Sequence, residues 1–151
     1  MNSADPKTNV PMYRRKLRRD DYPAVKEIFK TSFNIDHPLS DLHISWTSRS
    51  VDDSYGFFDS GKLIGFYIAS YHKNNGSNMY IDYTAVRQEY RGNGLGSHIL
   101  QSLLKEVYVN RRSIHLYPEN DRVAEWYTRH GFHKTHGGYY CFHSYDTRNR
   151  L

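Results

Sequence analysis

One cysteine, Cys141, stands in the whole chain, so no internal disulfide framework can form, and so thiol-poor a chain suits a reducing compartment. No apolar run approaches the roughly 18 residues that crossing a bilayer takes. The opening Met1-Asn2-Ser3-Ala4-Asp5-Pro6 lacks the apolar stretch of a secretory signal. These absences point to the cytoplasm, leave the nucleus open, and give no membrane as a partner. Internal repeats and low-complexity stretches are also missing. With 38% hydrophobic and 25% charged residues, the composition is that of a folded domain and not of a disordered tail. A length of 151 residues suits one core.

What the chain has in plenty is aromatic and basic. Its 14 Tyr and 7 Phe can supply both packing and polar tips. A net charge of +5 favours a polyanionic partner, either nucleic acid or a nucleotide with several phosphates. Tyrosines on a sheet also stack bases, so RNA binding is one reading to weigh.

Residues 1–11 are expected to be a flexible segment, 12–147 the folded domain and 148–151 a tail. Tyr13 to Leu17 reads as a first strand. Asp20-Asp21-Tyr22-Pro23 looks like a helix start, followed by Val25, Ile28, Phe29 and Phe33 at helical spacing. His37-Pro38-Leu39-Ser40 interrupts it, and a short helix is expected over Asp41–Ser48. From Ser54 the period becomes that of strands, with turns at Asp59-Ser60-Gly61 and Asn74-Asn75-Gly76 and a strand from Met79 to Val86. Gly94 to Asn110 is the clearest helix. A strand at Ser113–Tyr117, a helix from Asn120 that Gly131 ends, and two short strands, Phe132–Thr135 and Tyr139–Ser144, complete the order β-α-α-β-β-β-α-β-α-β-β. This is an α+β domain.

The most informative segment is Val86-Arg87-Gln88-Glu89-Tyr90-Arg91-Gly92-Asn93-Gly94-Leu95-Gly96-Ser97. It joins a strand to the start of the longest helix, where unpaired backbone N–H groups and the positive end of the helix dipole make an anion site. Glycines at 92, 94 and 96 would let a pyrophosphate reach the backbone, and Arg87 and Arg91 would add charge beside it. A P-loop is excluded, because Gly96-Ser97-His98 lacks its lysine. A dinucleotide fingerprint is excluded by Ile99 where its third glycine should be.

Arg91-x-x-Gly94-x-Gly96 resembles the acyl-CoA signature of the GNAT superfamily of N-acetyltransferases, Gln/Arg-x-x-Gly-x-Gly/Ala. Downstream, Asn120, Tyr127 and Gly131-Phe132 are similar to a second pattern of that family, with Val123 where alanine is usual. The resemblance covers roughly residues 12–145. It implies a single domain with a mixed, mostly antiparallel sheet flanked by helices and splayed at the acyl-CoA site. It implies acetyl-CoA as co-substrate, held by Thr84, Ala85, Val86, Arg91, Gly92, Asn93, Gly94, Leu95, Gly96, Ser97, Asn120 and Tyr127. In the family pattern, Asn120 would bond the pantetheine arm, Tyr127 would donate to the departing sulfur, and the Val86 N–H would meet the oxyanion.

Chemistry asks for such a donor independently, because a thioester attacked by an amine expels a thiolate. A base is harder to choose. Alternation should put Asp82 on one strand face with Thr84 and Val86, so Asp82 is the expected base or amine anchor, with Glu27 as an alternative carboxylate. The segments Ile64-Gly65-Phe66, Tyr80-Ile81-Asp82-Tyr83 and Tyr90-Arg91-Gly92 are similar to spermidine/spermine acetyltransferases. A polyamine is the first expected acceptor, ahead of a protein or histone lysine, a protein N-terminus, or another small amine. A non-catalytic acyl-CoA-binding module is the rival, against which the presence of Tyr127 and Asp82 speaks. RNA binding would leave the glycine loop unexplained, and a homodimer stays open. No metal is expected, since Gly131 should separate His130 from His133, and Cys141 reads as a buried thiol. Arg14-Arg15-Lys16-Leu17-Arg18-Arg19 resembles a nuclear address but falls where the first strand should lie.

Overall fold

Alternating and helical periods along the chain resolve, among the described residues, into seven strands and four helices in the expected order. The computed structural model describes residues 12–33, 38–71, 78–110 and 112–143. The strands are β1 (Tyr13–Lys16), β2 (Tyr55–Asp59), β3 (Lys62–Tyr71), β4 (Asn78–Val86), β5 (Ser113–Leu116), β6 (His133–Lys134) and β7 (Tyr140–His143). The helices are α1 (Tyr22–Ser32), α2 (Leu39–Thr47), α3 (Leu95–Asn110) and α4 (Asp121–Arg129). The expected turn at Asn74-Asn75-Gly76 and the segments 1–11 and 148–151 lie outside the described residues.

Boundaries moved where local chemistry decided them. α2 starts two residues before the expected Asp41, because Pro38, at φ −72° and ψ 148°, takes the N-cap place. Asn120 caps α4 instead of joining it, its side chain accepting a hydrogen bond from Val123 N. The next-to-last strand is shorter than expected and the last begins one residue later, because a tight turn with Gly137 and Gly138 at positive φ occupies the residues between them; Ser144 lies outside the described residues.

The sheet runs β1-β2-β3-β4-β5-β7-β6. Antiparallel pairing joins β1 to β2, β2 to β3, β5 to β7 and β6 to β7, whereas β4 and β5 are parallel. A parallel pair needs a crossover, and the crossover here contains α3.

Contacts gather into two compact units, one of Met1–Ile68 with Tyr83–Ile99 and one of Ala69–Asp82 with Leu100–Leu151. In the first, Pro23 sits in the opening turn of α1, and Val25, Ile28 and Phe29 follow at helical spacing and are buried. They share a core with Leu42, Trp46, Phe58, Phe66, Ile68 and Ala85. The basic run beside it belongs to the strand. Arg14 lies over the Tyr55 ring and Arg15 over the Phe58 ring, both at 4.1 Å. Arg15 also grips both oxygens of Asp21, at 2.7 and 3.0 Å. In the second unit, Leu103, Val107, Ile114, Leu116, Phe132 and Phe142 are buried.

Gly65 marks a close approach of α3 to β3. A Cβ there would fall 2.6 Å from Ile99 Cδ1 and 3.2 Å from the Ala85 carbonyl oxygen. Gly65→Val should therefore cost about 1–3 kcal/mol through overpacking, read as a lower urea midpoint. An unchanged midpoint would contradict this packing.

Candidate active site

β4 ends at Val86, a single tight turn covers Gln88–Tyr90, and α3 starts at Leu95. Gly92 and Gly94 take φ of 82° and 81°, a region that favours glycine. His98 N donates to Gly94 O, so the N–H groups of Leu95, Gly96 and Ser97 precede the first helical bond and have no acceptor within the helix. A Cβ built on Gly92, Gly94 or Gly96 would meet nothing within 4 Å. Neither packing nor a positive φ explains Gly96, although glycine in a helix costs about 1 kcal/mol against alanine. Open space against exposed N–H groups is what a bound phosphate would use.

Two arginines were expected beside this loop, and they part ways. Arg91 is exposed and ties the loop down, donating from Nε to Val86 O at 3.0 Å and from Nη2 to Ser32 Oγ at 2.8 Å. Arg87 turns inward instead, which corrects its expected place at the phosphate. It is 8% exposed, donates from Nε to Leu63 O, and pairs through Nη1 with Glu27. Hydrogen bonding to Arg87, then its charge, holds the Glu27 carboxyl below its ordinary range. On the other side of the loop, Tyr90 donates to the buried Asp59 at 2.6 Å.

The end of β4 is shaped by its neighbours. Pairing with β5 reaches only Ile81–Leu116, while β4 continues to Val86. Arg87 N donates to Ile64 O at 2.7 Å. Since successive N–H groups of a strand point to opposite edges, the Val86 N–H points to the edge along which β5 pairing has stopped. Thr84 Oγ1 donates to Phe66 O at 3.0 Å, and Ala85 is buried.

Asp82 does not keep the face expected for it. Counting back from the Arg87–Ile64 pair sets Ser70 opposite Ile81, yet Ser70 Oγ donates to Asp82 Oδ1 at 2.9 Å. Side chains at 81 and 82 point to opposite faces, so the register slips by one residue in between, as a β-bulge does. Asp82 therefore faces as Ser70 does, and the face it was expected to share with Thr84 and Val86 is broken. A single sequence carries no mark of such a slip.

Tyr127 is 6% exposed, its ring set edge-on against Trp126 and Phe132. Among the described residues its hydroxyl has no hydrogen-bond partner. Burial pushes its pKa up to about 12. Asn120 gives its oxygen to the α4 cap at 2.9 Å, which leaves its amide N–H groups to donate elsewhere. Cys141 is buried, which raises its thiol to about 11. Among the described residues no group of three His, Cys, Asp or Glu side chains could hold a metal ion.

Comparison with known proteins bears on this arrangement. The family model described as "Acetyltransferase (GNAT) family" matches residues 16–132. The L-2,4-diaminobutyric acid acetyltransferase of Virgibacillus pantothenticus is 30% identical over 86 residues, which cover 57% of this chain and 54% of that protein. The chain thus spans about half the length of the curated relative it matches. The ribosomal-protein-S18-alanine N-acetyltransferase of Escherichia coli superposes with a TM-score of 0.73 at 17% identity, covering 93% of this chain and 99% of that one. A GNAT family N-acetyltransferase of Escherichia coli in complex with CoA gives 0.71 at 16% identity, covering 93% and 86%. At such identities these two share the fold.

Gly96→Val isolates the cradle from the fold, because the position is open and needs no positive φ. CoA affinity measured by calorimetry should fall at least about tenfold, a loss of roughly 1.4 kcal/mol, with the melting temperature little changed. Unchanged affinity in the folded variant would remove the loop from cofactor binding.

Proposed function

The chain belongs to the acetyltransferase (GNAT) family, and from that premise we propose that it transfers acetyl from acetyl-CoA directly to a primary amine, a polyamine first among acceptors. The observation that carries the reading is the open glycine loop at the start of α3, where Gly96 has no reason within the fold. In this reading the N–H groups of residues 92–97 hold the pyrophosphate, with Asn93 and Leu95 contributing backbone and Ser97 its hydroxyl. Arg91 fixes the loop. Thr84, Ala85 and Val86 line the acyl end, and Asn120 donates to the pantetheine arm.

The amine nitrogen attacks the thioester carbon, the carbonyl electrons move to oxygen, and the Val86 N–H steadies that charge. Collapse breaks the carbon–sulfur bond and releases a thiolate, which takes a proton equivalent to the one the amine gives up. Amide and free thiol result. Tyr127 at about 12 keeps its proton across the working range. A thiol near 8.5 is the stronger acid, so the phenol helps chiefly by donating a hydrogen bond to the departing sulfur.

Asp82 is the anchor and base in this reading, relayed through water, because an amine with pKa near 10 is only about 0.1% neutral at pH 7. Glu27, committed to Arg87, ranks behind it as a substrate contact. The related diaminobutyric acid acetyltransferase supports a small acceptor with more than one amino group. Protein lysines and N-termini form the second acceptor class, and one panel decides. Thiol release from acetyl-CoA with spermidine, diamines, monoamines and lysine peptides should be fastest with the polyamine. Turnover of peptides alone would replace the polyamine, and CoA binding without turnover of any amine would leave a binding module.

Tyr127→Phe should lower kcat by roughly ten- to several-hundred-fold with CoA affinity kept. In the parent protein no loss of rate below about pH 11 should trace to Tyr127, since its raised pKa preserves the donor there. Near-normal kcat in the variant under chemistry-limited conditions would take Tyr127 out of the mechanism. Asp82→Asn should raise KM for spermidine and steepen the dependence of rate on pH. Spermidine kinetics unchanged from pH 6 to 10 would dismiss Asp82.

A further inference from the structure

The second unit presents a sheet face whose composition departs from that of the chain. Strand register sets Tyr80 opposite His115, His115 opposite Cys141, and Cys141 opposite His133. Opposed residues share a face, so these four form a row across β4, β5, β7 and β6. Asp82 and His143 extend it by the period of two. The rings are ordered among themselves. Tyr80 stacks on His115 at 4.9 Å and 22°. It stands nearly perpendicular to Tyr139, at 6.0 Å and 89°, and Tyr139 in turn to Tyr117, at 5.4 Å and 87°. Tyr117 is 64% exposed, and its ring packs against Gly138, where an added Cβ would fall 2.9 Å from Cε2.

Exposed tyrosines fixed at right angles are expensive to keep for packing alone, and their charge environment is specific. The chain carries a net +5, but among the described residues of this face the fixed charge is the Asp82 carboxylate. Among the described residues, alternation sends Arg112 and Lys134 to the opposite face, and Arg112 bonds the Tyr71 hydroxyl. Phosphates would find histidines alone here. A cation would find ring faces and a carboxylate, the combination that binds ammonium groups.

We propose that the row Tyr80, Tyr139 and Tyr117 seats a second ammonium group of the acceptor, one that is held and not acetylated. This rests on the amine-acetyltransferase reading above and deepens it. The acceptor class becomes flexible aliphatic diamines and polyamines, selected over monoamines of equal length. The rings take the held cation, and Asp82, two residues along β4 from Tyr80, stays with the reacting amine as its anchor and base.

The test compares diaminobutane with butylamine, in turnover with acetyl-CoA and in calorimetric binding, for the parent chain and Tyr139→Leu, Tyr117→Leu and Tyr139→Phe. Both leucine sites are at or above 40% exposed, so folding should survive, checked by melting. Tyr139→Leu should raise KM for diaminobutane about three- to tenfold more than KM for butylamine, in the range of one cation–π contact, and Tyr139→Phe should restore the ratio. An unchanged ratio with turnover intact overturns the seat while the acetyltransferase reading stands. Diaminobutane binding weakened by Tyr139→Leu in a chain that acetylates no amine supports the seat and sinks the acetyltransferase reading. An oligoribonucleotide that binds through Tyr139 while diaminobutane does not bind overturns the proposal.

Discussion

Backbone N–H groups with no acceptor in their own elements are what the candidate site depends on. One set opens α3, where Leu95, Gly96 and Ser97 precede the first helical bond. Another is the Val86 N–H, turned to the edge of β4 that β5 stops covering at Ile81. Leaving such donors unmet costs stability in a buried place, and here they face open space. The glycines keep that space clear, and Arg91, Tyr90 and Asp59 hold the loop in the shape that aims the donors outward.

That arrangement explains why the side chains near the loop are structural more than chemical. Arg87, which looks like a phosphate ligand in the sequence, spends its donors on Leu63 O and Glu27. Its burial is tolerable because the charge is paired and hydrogen-bonded. The loop therefore offers dipoles and one exposed guanidinium, Arg91. An anion can bind such a surface without removing a large fixed charge from water.

Much of this could be read in the sequence, for reasons particular residues make plain. Periodicity and turn residues placed the helices and strands seen among the described residues, and the Gly92-x-Gly94-x-Gly96 spacing marked a candidate cradle because glycines leave no Cβ between an anion and the backbone. Asn120 was read as a site residue and as the opening of α4, and the structure makes it the N-cap, its side chain accepting from Val123 N. What stayed hidden depends on pairing between strands. The register slip that separates Asp82 from Thr84 is decided by where β3 bonds to β4, and alternation along one strand cannot report it. The partner of Arg87 lies 60 residues away, and nothing local names it. The tyrosine row was invisible for the same reason, since Tyr80, Tyr117 and Tyr139 become neighbours only across paired strands.

The electrostatics follow the same division of labour. Burial keeps Tyr127 protonated, and Asp82 supplies charge on a face from which, among the described residues, Arg112 and Lys134 are turned away. The most direct measurement of the central claim is the change in backbone amide resonances on adding acetyl-CoA to the isotopically labelled protein. The account predicts that the largest shifts fall on Val86 and on residues 92–97. Saturable binding of acetyl-CoA that leaves those amides unmoved would contradict it.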